Sequence, residues 1–464
     1  MFFFNKVLVI VNLLIFVTSG LSTAFENETV MSQSVLKNDT VYILKFIDAG
    51  RIALKNSPDI DIAKERILQA KEAYKIVMAG YYPDLAINCA AVNNRVSDVM
   101  HEKNKALASL SGGGIDNPEM SYNAGISMSW ILFNGFGRKY NSAKRASAIS
   151  MSQYGHSDSE RVLLSVVSDA YFAAQLAREN IYIAKADGVF YSRQLEDAEA
   201  RNLAGTGTLS DVINFQVRVH SADAEIINAK YEYDAAMSAL AALMGYHLAE
   251  FPVETTLAEL EYTDVKNFKK PDVELFTNSA LENRPDIRRF KHSLDMAASS
   301  IKADRADFFP IVWIEGGLSG SREVDVDFRN DDISNSVALN VTCNLFTGGA
   351  DKAAVKRAKA FYRETERRFE RLKIQIRSDI KQSCAELESA LQQYALYKNN
   401  DSLVKQNREL VEMEYRAGKC SLVRLNEAQR DYTATRSRMT LAFVSTCQAK
   451  FRLDADTGNI RAMF

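Results

Sequence analysis

The stretch SYNAGISMSWILFNGFGRK, from Ser121 to Lys139, changes its periodicity partway along. Tyr122, Ala124, Ile126, Met128, Trp130 and Leu132 alternate with Ser121, Asn123, Gly125, Ser127 and Ser129. A period of two is the signature of a strand with one apolar and one polar face. After Gly135 the pattern turns helical with no linker between. The same arrangement recurs at Val337, Leu339, Val341, Cys343 and Leu345 against Ser336, Ala338, Asn340, Thr342 and Asn344. There Phe346-Thr347-Gly348-Gly349 leads into a second helix.

Working outward, the whole chain reads as a duplication, and a fixed internal repeat is the first feature that settles a fold. Ala53-Leu54-Lys55-Asn56-Ser57-Pro58-Asp59-Ile60 matches Ala280-Leu281-Glu282-Asn283-Arg284-Pro285-Asp286-Ile287, 227 residues later. At that offset Tyr81-Tyr82-Pro83 meets Phe308-Phe309-Pro310, whereas Leu132-Phe133-Asn134-Gly135 meets Leu345-Phe346-Thr347-Gly348 at 213. The second copy is therefore 14 residues shorter between its strands. Each copy reads helix, strand, loop, strand, long helix, turn, helix. The first helix is expected from about Ile52 to Tyr81, where Pro83 ends it.

The first repeat is placed at 25–245, with strands at about 84–92 and 121–133, a long helix at about 137–204 and a shorter one at about 208–244. An irregular equatorial linker follows at 246–271. The second repeat, 272–464, has strands at about 311–319 and 336–346 and helices at about 349–417 and 420–454. The polar stretch Asn93–Met120, with Gly112-Gly113-Gly114 and Pro118, is read as a long loop, and such loops are usually functional or mobile.

Composition agrees with long helices: 464 residues hold only 7 prolines and 21 glycines. The net charge of −2, without a long basic run, implies no nucleic-acid partner. Residues 1–24 read as a secretory signal peptide, with Lys6, an apolar core from Val7 to Val17, and Ser22 and Ala24 before the expected cleavage. The alternative is an uncleaved anchor, for which the apolar core is short. No cysteine follows that core, so no lipid-anchored mature N-terminus is expected. The five cysteines, 89, 343, 384, 420 and 447, show no CxxC spacing and are read as structural. The five histidines stand singly, so no metal site or other cofactor is expected.

From Arg138 to Leu203 no proline interrupts the pattern, and a helix there would be roughly 100 Å long. Its seam keeps a strict 4,3 alternation: Leu163, Val167, Ala170, Ala174, Ala177, Ile181, Ala184, Gly188, Tyr191, Leu195, Ala198. Ile376, Ile380, Ser383, Leu387, Ala390, Tyr394 and Tyr397 repeat it, and Asp401 and Arg408 then make the second seam more polar. A sustained 3.5 period marks a coiled coil. Gly205 and Gly418 occupy matching turns and suit the left-handed residue that ends a helix.

Four two-faced strands of this length suit a tilted membrane barrel. The smallest such barrels need about 8 strands, so several copies must contribute. The alternative, a soluble sheet, would need an amphipathic helix over its apolar face, and the helices already use their seams on one another.

Taken together, these boxes resemble the TolC family of outer-membrane efflux proteins over essentially the whole chain after residue 24. The resemblance rests on Asn56–Ile60 and Asn283–Ile287, on Pro83 and Pro310, on the Leu-Phe-x-Gly boxes at Leu132 and Leu345, and on the turns near Asp211-Val212-Ile213 and Tyr415-Arg416-Ala417-Gly418. It implies a mainly α fold with a membrane β-barrel: a homotrimer whose twelve strands close one barrel, embedded in outer-membrane lipid and continued by a tube of twelve helices. It further implies passive export of drugs, toxic small molecules or polypeptide, with a periplasmic adaptor protein and an inner-membrane pump as partners. No phosphate loop or other catalytic constellation suggests an enzyme. The alternatives are a soluble periplasmic coiled-coil adaptor and a structural coiled-coil protein.

By the resemblance, Asp211, Tyr415 and Glu427 match gate or entrance positions, and Arg424 belongs to the same constriction. A ring of carboxylates there would attract cations. Asp211 also suits a helix first turn, where a carboxylate complements the macrodipole. The chain departs from the family pattern at Cys420, where a gate arginine is expected, and at Arg424, where an entrance aspartate is expected. Gly135 and Gly348 are the expected strand–helix junctions, with Trp130, Phe133 and Phe346 as interface aromatics.

Overall fold

The computed structural model describes residues 41–109, 119–260, 262, 270–323 and 327–464. The expected signal peptide lies outside them. The chain divides into two units. In the small one, Met1–Tyr42 with Val253–Thr255, the Tyr42 amide donates to the Glu254 carbonyl. The large unit, Ile43–Pro252 with Thr256–Phe464, holds the helices and the main sheet. Short strands β1 (Tyr42–Leu44) and β4 (Thr255–Leu257) form a two-stranded sheet of their own, so the linker is not wholly irregular.

Helices α1 (Phe46–Asn56) and α2 (Pro58–Ala79) replace the single helix expected from Ile52 to Tyr81. Pro58 disfavours helical geometry at the residue before it, and Ser57 sits extended at φ −68°, ψ 125°. The break repeats between α6 (Val273–Asn283) and α7 (Pro285–Asp304), where Arg284 is extended ahead of Pro285. β2 (Asp84–Asn94) follows α2, and β5 (Ile311–Glu323) follows α7. The stretch expected as a loop after Asn93 contains a helix, α3 (Asp98–Ser109), begun by an aspartate in its first turn. β3 runs from Glu119 to Asn134.

The long helices α4 (Gly137–Leu203) and α8 (Ala350–Arg416) have 67 residues each. The shorter α5 (Leu209–Leu243) and α9 (Leu422–Asp456) have 35 each. Both pairs start 213 residues apart, so the duplication in the sequence is a duplication in space. The seams are buried at Leu163, Val167, Ala174, Ala184, Gly188 and Tyr191 in α4, and at Ile376, Ile380, Leu387 and Tyr394 in α8. Small seam residues let the helices approach: a Cβ on Gly188 would lie 3.4 Å from Ile226 of α5. The α1, α4, α5 and α9 core closes on Leu44, Ala53, Val167, Tyr171, Leu240 and Val444.

The main sheet is antiparallel in the order β2-β3-β5-β6, β6 being Ile333–Thr342. The expected strand to Phe346 therefore ends early. β3 extends five residues past Ser129, which pairs with Asp84 at the start of β2, because β5 continues to pair with it through a bulge between Ile131 and Phe133. Thr342, equivalent to Ser129, is the last residue of β6 paired with β5, and β6 is an edge strand with no neighbour on its other side. Without that second ladder, residues 343–346 leave strand geometry.

Candidate functional site: the two-faced sheet, its junctions and the helix tip

Cross-strand partners share a face, and the register sorts the sheet cleanly. Leu85, Ile87, Met128, Ile126, Ile314, Leu318, Val337, Leu339 and Val341 stand on one side. Asp84, Asn88, Ser127, Glu315, Ser319 and Ser336 line the other, around a concavity of about 970 Å³. The apolar side is open: Val337 is 84% and Leu85 71% exposed. Among the described residues no amphipathic helix covers it, whereas the soluble-sheet alternative requires one. Gly125 and Gly317 let neighbouring strands approach closely, since a Cβ on Gly125 would come within 2.9 Å of the Leu318 carbonyl and one on Gly317 within 3.1 Å of the Ile126 carbonyl.

Strand becomes helix through two left-handed residues. Gly135 and Phe136 have φ 62° and 66°, and Gly348 and Gly349 have φ 65° and 88°. A Cβ on Gly135 would collide with the Ala306 carbonyl and lie 2.8 Å from Phe309, so the first junction is packed against the short turn that follows α7. Gly348 and Gly349 have nothing within 4 Å of such a Cβ. The first junction is also pinned by polar contacts. Trp130 Nε1 donates to the Tyr81 carbonyl at 3.0 Å, and Arg138 donates to the carbonyls of Gly80 and Leu132 at 2.7 Å each. Phe133 packs edge-on against Phe136 with centroids 5.2 Å apart. Phe346, its equivalent, is outside the strand and 88% exposed beside Leu345 at 94%. The candidate aromatics are thus in unequal settings: Trp130 and Phe133 are engaged, while Phe346 is left uncovered.

At the other end of the helices Gly205 and Gly418 are left-handed, with φ 73° and 69°. Thr206 donates back to Arg201, and Lys419 to Glu414, which closes both C-termini. Thr208 and Ser421 then cap α5 and α9 by accepting from the amides of Asp211 and Arg424, at 3.1 and 3.4 Å. Asp211 and Arg424 are therefore equivalent third positions of two first turns, bearing opposite charges. The structure brings Asp211 and Tyr415 together with Arg201, whose guanidinium lies 5.3 Å from the Tyr415 ring centroid. Burial, and then the charge of Asp211, push the Tyr415 phenol up. Arg424 and Glu427 are not part of that group and project exposed from α9. Cys420 makes a weak contact at 3.5 Å to the Val411 carbonyl and forms no ion pair in the place where an arginine was expected.

A polar layer that motif and spacing alone do not reveal lies above the tip. Gln194 donates to Glu412 at 3.3 Å, Glu412 also receives Arg408 at 2.7 Å and Arg416 at 2.9 Å, and Arg408 lies between the rings of Phe190 and Tyr432. Asp187 accepts from Gln429 at 2.7 Å and from Thr433 at 3.0 Å, and burial pushes its carboxyl up. The signal for this layer was the intrusion of Asp401 and Arg408 into an otherwise apolar seam. Its partners come from two other helices, which spacing along one helix does not reveal.

A sheet apolar outside and polar inside, fed directly into paired coiled-coil helices, defines an outer-membrane channel protein. A family model for outer membrane efflux proteins matches residues 50–246 and 276–459, and the chain belongs to that family. It is 25% identical over 329 residues to the alkaline protease secretion protein AprF of Pseudomonas aeruginosa, covering 70% of this chain and 66% of AprF. It is likewise 25% identical over 390 residues to the probable outer membrane lipoprotein SilC of Salmonella typhimurium, covering 82% of this chain and 79% of SilC. The crystal structure of the Campylobacter jejuni CmeC outer membrane channel superposes with a TM-score of 0.77 at 17% identity, over 92% of this chain and 90% of CmeC. That likeness extends the fold to nearly the whole chain.

Proposed function

We propose that this chain, delivered by a leader cleaved after Ala24, assembles as a homotrimer into an outer-membrane pore continued by a helical conduit. The pore passively exports drugs, toxic small molecules or polypeptide, performs no chemistry of its own, and binds no nucleic acid. An inner-membrane pump supplies the energy and a periplasmic adaptor joins pump to conduit. The observation that carries this reading is the unfinished edge of the sheet. β3 has neighbours on both sides, whereas its repeat equivalent β6 has only β5, and β2 is the other open edge. Placing β2 of a second copy beside β6 repeats the β3–β5 arrangement, and it would cover Leu345 and Phe346 as Phe133 is covered. Repetition closes the barrel, which membrane strands require because an open edge cannot survive in lipid. We take the number of copies to be three, as the family resemblance implies.

Asp211 and Tyr415 are proposed to hold the periplasmic tip closed, with Arg424 and Glu427 facing the entrance. Three copies of Arg424 would make that part of the constriction positive. Deletion of the gene, followed by a toxic-compound susceptibility panel and a comparison of secreted proteins, tests the reading. Hypersusceptibility or a lost secreted polypeptide is expected, and distinguishes the two cargo classes. A wild-type profile, together with protein found only as a monomer outside the outer membrane, would contradict it.

A further inference from the structure

We infer that the helix-proximal end of the sheet carries its own charge filter, formed by Asp84 and Glu315, which favours cations over anions independently of the tip. The inference rests on the pore reading above. Asp84, Ser129, Glu315 and Ala338 are successive cross-strand partners, so they form one row on the concave face. The two carboxylates are two strand spacings apart, about 10 Å. Around them the wall is small and uncharged: Ala86, Asn88, Ser127, Gly317, Ser319 and Ser336. No lysine or arginine occupies a concave-face position in the described strands. The one strand arginine, Arg322, pairs with Tyr122 on the apolar side at the far end and bonds the Asp327 carbonyl and Asp332.

Glu315 is also aimed. Trp313 Nε1 donates to one carboxylate oxygen at 2.7 Å and Asn340 Nδ2 to the other at 3.3 Å. Two donors from two adjacent strands hold the charge against the wall, while Asp84 begins β2 directly after Pro83 and is exposed. Each copy added to the barrel adds both carboxylates to the same belt, with no lysine or arginine on that face of the described strands to offset them. A charged ring in a low-dielectric wall focuses the field into the pore. Cation enrichment of roughly tenfold is expected at low salt. Near 1 M salt, where the Debye length is about 3 Å, most of it is screened.

The test is the potassium-over-chloride permeability ratio of purified trimers in planar bilayers under a salt gradient. Wild type, Asp84→Asn, Glu315→Gln and the double variant are compared, each in the native tip and in a Tyr415→Phe, Asp211→Ala tip. The double variant should lower the ratio at least about threefold at low salt and change it little near 1 M. Glu315→Lys should shift preference toward chloride. Asp84→Asn alters an exposed side chain and gives a partial effect even if Glu315→Gln disturbs the wall. An unchanged ratio for the conducting double variant in both tips would overturn the inference and assign selectivity to the tip. Intact trimers that conduct no ions even with the Tyr415→Phe, Asp211→Ala tip would instead overturn the pore reading beneath it.

Discussion

Gly135 and Gly348 are equivalent by sequence yet differ in their surroundings, and that difference makes a prediction. Both are left-handed, where a side chain costs about 1–2 kcal/mol by itself. Gly135→Ala would also drive a methyl into the Ala306 carbonyl, so it should destabilise the isolated protomer. Gly348→Ala meets nothing among the described residues of its own chain, but the residues equivalent to Ala306 and Phe309 are Ala79 and Tyr82, which a second copy would bring there in the proposed assembly. It should therefore leave the protomer folded and weaken the trimer, as read by circular dichroism and by heat-modifiable gel mobility; equal effects of the two variants on protomer folding would refute the assignment. Asp187 gives a pH prediction. Its carboxyl is pushed up by burial, against the pull of its Gln429 and Thr433 donors and Arg218. A raised folded pKa contributes stability that is present in acid and lost as pH rises through it, so ionised Asp187 is a cost at neutral pH. Asp187→Asn should raise the unfolding midpoint at about pH 7, with the gain fading on acidification toward the ordinary carboxylate range. A lower midpoint at neutral pH would mean that the hydrogen bonds outweigh the burial. Phe215, fully buried between the tip helices, should cost about 3–5 kcal/mol on truncation to alanine.

The helices were the most legible elements, because a seam such as Leu163, Val167, Ala174 and Ala184 writes its period directly into the sequence. Their interruptions were less so. Pro58 and Pro285 mark the repeat in the sequence, yet each also breaks a helix through the residue before it. Helix α3 was hidden because a polar surface helix of twelve residues carries little hydrophobic period. The tip turns were legible from glycine and caps, whereas the grouping of Asp211, Tyr415 and Arg201 depends on how two hairpins meet. If that grouping holds the tip closed, Tyr415→Phe combined with Asp211→Ala should raise single-channel conductance. Unchanged conductance would remove both residues from the gate.

At the scale of the molecule, the duplication and the two-faced strands were enough to require several copies in one barrel, but not to locate their contact. In the proposed assembly the contact falls at the unequal ends of β3 and β6, since a strand missing a neighbour ends where its second ladder should begin. Met128 pairs with Gly316 between β3 and β5, and the repeat offsets carry that pair to Val341 of one copy opposite Cys89 of the next. Cys343 is two residues from Val341 and is best removed first. In a Cys343→Ser background, Val341→Cys should therefore cross-link to native Cys89 of a neighbouring copy when outer membranes are treated with an oxidant or a short bis-thiol reagent. The account predicts covalent dimers and trimers on a non-reducing gel, absent when Val341 is retained. Only monomers, from protein that fractionates with the outer membrane, would contradict it.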